Sequence, residues 1–140
     1  MWPFLLLLKG GRMIFSESLK KNKDFQNVYR KGKSQANKFL VMYLWKNDSE
    51  RNRLGISVSK KVGNSVVRHH LTRLIRESYR LNEEKFRKGY DFVVIARPQA
   101  KECSFHEIEN ALLHVAKLQR VRSDRKEETG RDEKNINRDD

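Results

Sequence analysis

The stretch "RLGISVSKKVGNSVVRHHLTRLIRESYR", residues 53–80, changes its period halfway. Leu54, Ile56 and Val58 alternate with Gly55, Ser57 and Ser59, the two-residue repeat of a strand with one buried face. Gly63 and Asn64 interrupt that pattern, and from Ser65 to Leu81 no further glycine or proline occurs, so a helix is predicted there. On a wheel advancing about 100° per residue with Arg68 at zero, Arg76, His69, Arg80 and Arg73 fall between about 80° and 140°. Leu74, Val67, Leu71 and Ile75 fall between about 240° and 340°. One side can pack on a sheet while the other presents cations.

The flanking segments complete the architecture. "YDFVVIAR", residues 90–97, follows a Lys88-Gly89 turn; its apolar run from Phe92 to Ala96, closed by Pro98, reads as a buried central strand. Upstream, "KFLVMYLWK" reads as a strand with Phe39, Val41, Tyr43 and Trp45 on one face and Leu40, Met42 and Leu44 on the other. The cluster "NDSERN" then makes a turn, so this strand and "RLGISVSK" are expected to form a hairpin. Near the start, Asn22 is the expected N-cap of a short helix carrying Phe25, Val28 and Tyr29 and stopped by Gly32. Near the end, Ser104 and Glu107 form a capping box before Phe105, Ile108, Leu112 and Val115 at helical spacing. The order helix, two or three strands, helix, strand, helix predicts one α+β or α/β domain with a mixed sheet.

Charge narrows the class of ligand. The 140 residues carry 31 Lys and Arg against 18 Asp and Glu, a formal net charge of +13, as expected of a polyanion binder. Arg122 to Asp140 holds six basic and seven acidic residues, so the excess lies in the part that can fold. Arginines spaced over one helix face suit phosphate, because each guanidinium can fork two donors onto phosphate oxygens. The bland alternative is a solvated charged face. A membrane-surface helix would need its apolar side free for lipid, and here the core needs it.

Other features exclude more than they assign. Cys103 is the only cysteine, which rules out an intrachain disulfide and a multi-cysteine zinc site and fits a reducing cytoplasm. Chelation from a helix favours i, i+4 spacing, so adjacent His69 and His70 do not share a metal. His69 lies in the basic arc, whereas His70, at about 200°, borders the apolar side and reads as structural. No Ser-His-Asp set, carboxylate pair or metal-ligand cluster offers itself for chemistry. "MWPFLLLL" is too short to span a bilayer and lacks a basic flank and a cleavage site. Translation is expected to start at Met13, with residues 1–12 upstream of it; the expected division is an N-terminal extension over 1–14, the folded domain over 15–121 and a disordered charged tail over 122–140.

"SVSKKVGNSVVRHHLTRLIRESYR" resembles the signature helix of the bacterial ribonuclease P protein component, approximately K-x-G-x-A-V-x-R-N-x-x-K-R-x-x-R. Lys61, Gly63, Val66, Arg68, Arg73 and Arg76 stand at matching positions. Ser65, His69 and Thr72 replace the usual Ala, Asn and Lys, which implies fewer phosphate contacts. "LKKNKDFQNVYRKGKS" is similar to the family's first helix, and the likeness runs from Leu19 to Val121. A literal "RNR" at residues 51–53 falls in the expected turn and reads as solvated.

The resemblance implies the fold of the second domain of ribosomal protein S5, with a left-handed βαβ crossover. It also implies a protein subunit without catalytic residues, which binds a catalytic RNA and the 5′ leader of precursor tRNA while that RNA hydrolyses the precursor with Mg²⁺. No metal is expected to be held stably by the protein, and no membrane or obligate protein partner is implied. The expected RNA-binding residues are Lys60, Lys61, Asn64, Arg68, His69, Arg73, Arg76 and Arg80. The expected leader cleft is lined by Phe25, Tyr29 and Tyr43, where aromatic faces suit a single strand. The alternative is a non-catalytic ribosomal or other structured-RNA-binding protein.

Overall fold

Tyr90–Ala96 forms the strand β5, and it runs between two neighbours in a computed structural model that describes residues 12–122. The five strands are β1 (Ser16–Ser18), β2 (Lys33–Ala36), β3 (Leu40–Lys46), β4 (Asn52–Ser57) and β5, in the order β1-β4-β5-β3-β2. β5 pairs parallel with β4 and antiparallel with β3; β1 runs parallel to β4 and β2 antiparallel to β3. The helices are α1 (Asn22–Lys31), α2 (Ser65–Leu81) and α3 (Phe105–Leu118). This is the expected α+β domain with a mixed sheet. The expected extension and charged tail, apart from residues 12–14 and 122, lie outside the described residues.

Strand alternation sorts the side chains into two layers. Leu40, Met42, Leu54, Phe92 and Val94 join Leu71, Leu74 and Ile75 of α2 and Ile108, Leu112 and Val115 of α3 in one core. On the opposite face Val93 packs with Leu19 and with Val28 of α1 in a second, smaller core. Phe92, Val93 and Val94 have no exposure at all, and full burial of such side chains is worth about 1.5–3 kcal/mol each.

Four local expectations are corrected. β3 and β4 do not form a hairpin, because β5, apolar on both faces, takes the place between them. Asn22 does not cap α1: Lys21 flanks the helix, with no side-chain capping bond. Phe39 precedes β3 and packs against the larger core, because Asn37 Oδ1 accepts from the Phe39 and Leu40 amides and turns the chain there. The 51–53 triplet is only in part a solvated turn, since Arg51 is exposed in the bend before β4 whereas Asn52 and Arg53 lie in β4 and Asn52 is fully buried.

Asn52 is the centre of a polar network. Its amide donates to the Tyr79 hydroxyl at 3.1 Å and the Arg87 carbonyl at 2.9 Å, while its Oδ1 accepts from the Tyr90 amide at 3.0 Å. The Tyr79 hydroxyl also shares a 2.6 Å bond with Ser16 Oγ, and the buried Glu83 carboxylate accepts from the Ile14 and Phe15 amides at 2.6 and 2.9 Å. Asn52→Ala therefore removes three hydrogen bonds and leaves the partly buried Arg87 carbonyl and Tyr90 amide without this partner, while the Tyr79 hydroxyl keeps Ser16; at about 1–3 kcal/mol per unpaired group, a loss of about 2–4 kcal/mol is expected, read from a lower urea midpoint at unchanged slope.

Burial pushes the Tyr79 phenol up to about 12, against the lowering effect of its bonds to Ser16 and Asn52. The folded value lies above an unfolded value near ~10, so its contribution to stability is whole below that pH and is lost as pH rises towards 12. An alkaline absorbance titration should show one of the four tyrosines ionising late, and Tyr79→Phe should remove that late step.

Candidate nucleic-acid interface

The basic helix begins where its sequence says it should. Asn64 adopts an extended conformation and its Oδ1 accepts from the Val67 amide at 3.0 Å, closing the first turn. Gly63 is required beside it, because a Cβ there would stand 2.8 Å from Val67 Cγ1. The Asn64 side chain, expected to touch RNA, is thus engaged as a helix cap.

Lys60, Lys61, His69, His70, Arg73 and Arg76 line the outward side of this segment, and His69, His70, Thr72, Arg73 and Arg76 share one shallow groove of about 360 Å³. His70 therefore belongs to the cationic face and not to the packed side, a correction of about one residue's rotation on the wheel. Arg68 is half-buried at the edge of this face, and its Nε is buried without a hydrogen-bond partner. Thr72 donates to the Arg68 carbonyl at 2.8 Å, so its hydroxyl serves the helix.

Arg80 departs most from its expected role. Its Nε donates to Glu77 Oε1 at 2.7 Å, and its side chain is only 10% exposed. The i, i+3 spacing of Glu77 and Arg80 was a visible signal for this pair. The pairing also neutralises the acid within the Lys60–Arg80 stretch, leaving Arg73 and Arg76 unopposed on the outer surface.

On the other side of the sheet, α1 brings the three expected aromatics together. Phe25 and Tyr29 have ring centroids 6.4 Å apart, and Tyr29 meets Tyr43 of β3 edge-on at 5.1 Å. All three are half-buried. Gly55 admits the helix: a Cβ there would lie 2.7 Å from Phe25 Cζ. Strand register puts Tyr43, Val93 and Gly55 in one row under α1, and Val41, Ile95 and Ser57 in the next row towards the end of β4. Val41, Ile95 and Ser57 are each half-buried, so a partly exposed strip of the sheet borders the aromatic edge of the helix. Ser57 leads through Val58 and Ser59 to Lys60 and Lys61.

An ion network missed in the sequence fixes α1 over the sheet. Arg53 donates through Nε to Asp91 Oδ1 at 3.0 Å and through its terminal nitrogen to Oδ2 at 2.7 Å. Its other terminal nitrogen lies 3.3 Å from Asp24 in the first turn of α1. The hydrogen bond to Asp91 raises the Arg53 pKa against the opposing effect of burial.

Among the described residues no group of three or more His, Cys, Asp or Glu could hold a metal ion. Cys103 is buried, and desolvation pushes its thiol pKa up, away from thiolate reactivity. No helix of the described residues is long and apolar enough to cross a membrane.

Comparison with known proteins agrees with this geometry. A family model described as Ribonuclease P matches residues 13–119. The chain is 59% identical over 106 residues to the ribonuclease P protein component of Lachnoclostridium phytofermentans, covering 76% of this chain and 91% of that protein. It is 50% identical over 103 residues to that of Clostridioides difficile, covering 73% and 90%. Among solved structures, the Staphylococcus aureus RNase P protein superposes with a TM-score of 0.71 at 43% identity, covering 76% of this chain and 97% of that one. The protein from Thermotoga maritima gives 0.67 at 34% identity, covering 71% and 94%.

The difference between exposed and paired arginines is measurable. With a transcribed bacterial ribonuclease P RNA as ligand, Arg73→Ala or Arg76→Ala should weaken binding and reduce the log–log salt slope by about 0.7–0.9 for each phosphate no longer neutralised. Arg80→Ala should leave that slope nearly unchanged and lower thermal stability instead.

Proposed function

The chain belongs to the ribonuclease P protein family, and from that premise we propose how it serves as the protein subunit of this RNA-based endoribonuclease of tRNA processing. The family implies an RNA partner in a ribonucleoprotein. Our reading is that α2 docks the catalytic RNA through Lys60, Lys61, His69, Arg73 and Arg76, with Arg68 at the margin. The surface beside Phe25, Tyr29 and Tyr43 takes the single-stranded 5′ leader of precursor tRNA.

The observation that carries this reading is the placement of the two surfaces. A cationic helix face and a cluster of half-buried aromatic rings lie on opposite layers of one sheet, and Lys60 and Lys61 follow the end of β4 beside the half-buried row of Val41, Ile95 and Ser57. Guanidinium and ammonium groups hold backbone phosphates without reading sequence. Half-buried aromatic rings offer stacking surface that tolerates any base. A leader held against these rings while the RNA subunit is held on α2 keeps the scissile region near the catalytic RNA, so the protein would act by binding and orientation.

We assign the chemical step to the RNA, with Mg²⁺ as the ion it uses; the protein's own donor set, with no carboxylate cluster among the described residues, supports that division. We also propose the cytoplasm as the site of action and no obligate protein partner. The rival assignment to a ribosomal protein that only stabilises RNA is disfavoured by the family match over residues 13–119.

One reconstitution tests these roles. The full chain with a bacterial ribonuclease P RNA and Mg²⁺ should remove the leader of a precursor tRNA, and the chain alone should not. Tyr29→Ala should weaken binding of the leader-bearing precursor by about 1–3 kcal/mol while mature tRNA binding stays the same. Cleavage by the chain without RNA, or equal losses for both tRNA forms, would refute the assignment of roles.

A further inference from the structure

Two imidazoles stand among the fixed cations of α2, where a phosphate chain would meet them. His69 and His70 share the groove of about 360 Å³ with Arg73 and Arg76. A guanidinium stays charged throughout the physiological range, whereas imidazole as a class gains its charge near pH ~6.5. The two side chains thus supply charge on demand.

The acids of the surrounding elements are largely engaged elsewhere. On α2 itself Glu77 is paired with Arg80. In the 3-10 turn Glu83–Lys85 that follows, Glu83 is held by the Ile14 and Phe15 amides, while Glu84 is exposed beside Lys85. On β4 the charged group is Arg53, bound to Asp91 on the far face of the sheet. The turn Pro98–Glu102 carries Lys101 and Glu102. On α3, Glu107 closes the capping box, Glu109 accepts from Asn82 and lies 3.7 Å from His106, and His114 bonds Asn37; Lys117 completes the charged set. The segment before α2 adds Lys60 and Lys61. Arriving phosphates would then be the anions nearest to both imidazoles.

We infer that the chain takes up protons at His69 and His70 as it docks on RNA, so that its affinity for RNA rises as pH falls. This rests on reading α2 as the RNA-docking surface. The sign follows from linkage: a bound phosphate favours imidazolium over neutral imidazole, so docking and proton uptake support each other and the gain in affinity is lost as pH rises. Each proton taken up changes the dissociation constant by at most about tenfold per pH unit.

The test uses the full chain and a transcribed bacterial ribonuclease P RNA, by filter binding at constant ionic strength between about pH 5.5 and 8. Calorimetry in two buffers of different ionisation enthalpy counts the protons. Binding should be about tenfold or more tighter at the acidic end, with net proton uptake. A His69→Asn, His70→Asn double variant should lose both, and His106→Asn should keep both. The double replacement of His69 and His70 by Arg should bind tightly at every pH, an outcome that misfolding cannot produce. Wild-type pH dependence in the Asn double variant, or its loss in His106→Asn, would overturn the inference while the docking surface stands. Unchanged affinity and salt slope in Arg73→Ala and Arg76→Ala would remove the docking surface and the inference with it.

Discussion

β5 is hydrogen-bonded along both edges and buried on both faces, and the remaining elements are arranged by that requirement. A strand whose central residues are all apolar must be covered twice. α2 and α3 supply one cover and α1 the other. Because β3 and β4 each take one edge of β5, they are held one strand apart. The two surfaces proposed for nucleic acid inherit their separation from this layering, because α1 and α2 each commit an inner side to the sheet and leave an outer side or flank exposed.

What could be read from the sequence was whatever a local signal carries. The bounds of α2 were legible because a glycine-asparagine stop and a seventeen-residue amphipathic period meet there. α3 was legible from its capping box, and β5 from its uninterrupted apolar run. β1 and β2 were not, since "SES" and "KSQA" carry no apolar alternation and become strands only by pairing with β4 and β3. The hairpin was a natural error: a turn cluster between two strands says that the chain reverses, but not whether a third strand enters the gap.

The polar interior was the least legible part. Asn52 and Arg53 sit in a charged, turn-rich neighbourhood, and their partners Tyr79, Arg87, Tyr90 and Asp91 lie 27 to 38 positions away. Nothing in a local window marks such residues as buried. At α2 two of the expected contact residues have partners within the protein: Asn64 caps the helix and Arg80 binds Glu77. The contact of Phe25, Tyr29 and Tyr43 follows from local pattern, since Phe25 and Tyr29 are one helical turn apart and Tyr43 alternates along its strand, whereas their expected role as a leader cleft came from the family resemblance.

The grip of Glu83 on the residues leading into β1 sets an order of events during synthesis. The amides of Ile14 and Phe15 leave the ribosome early, yet their carboxylate acceptor is 69 and 68 positions downstream, and the partner strand of β1 begins only at Asn52. β1 has its strand partner once β4 has emerged, but the residues leading into it stay unheld until α2 and the turn after it have been made. Closing so long a loop costs entropy that no neighbouring contact offsets. The anchor of β1 is therefore supplied long after the strand itself.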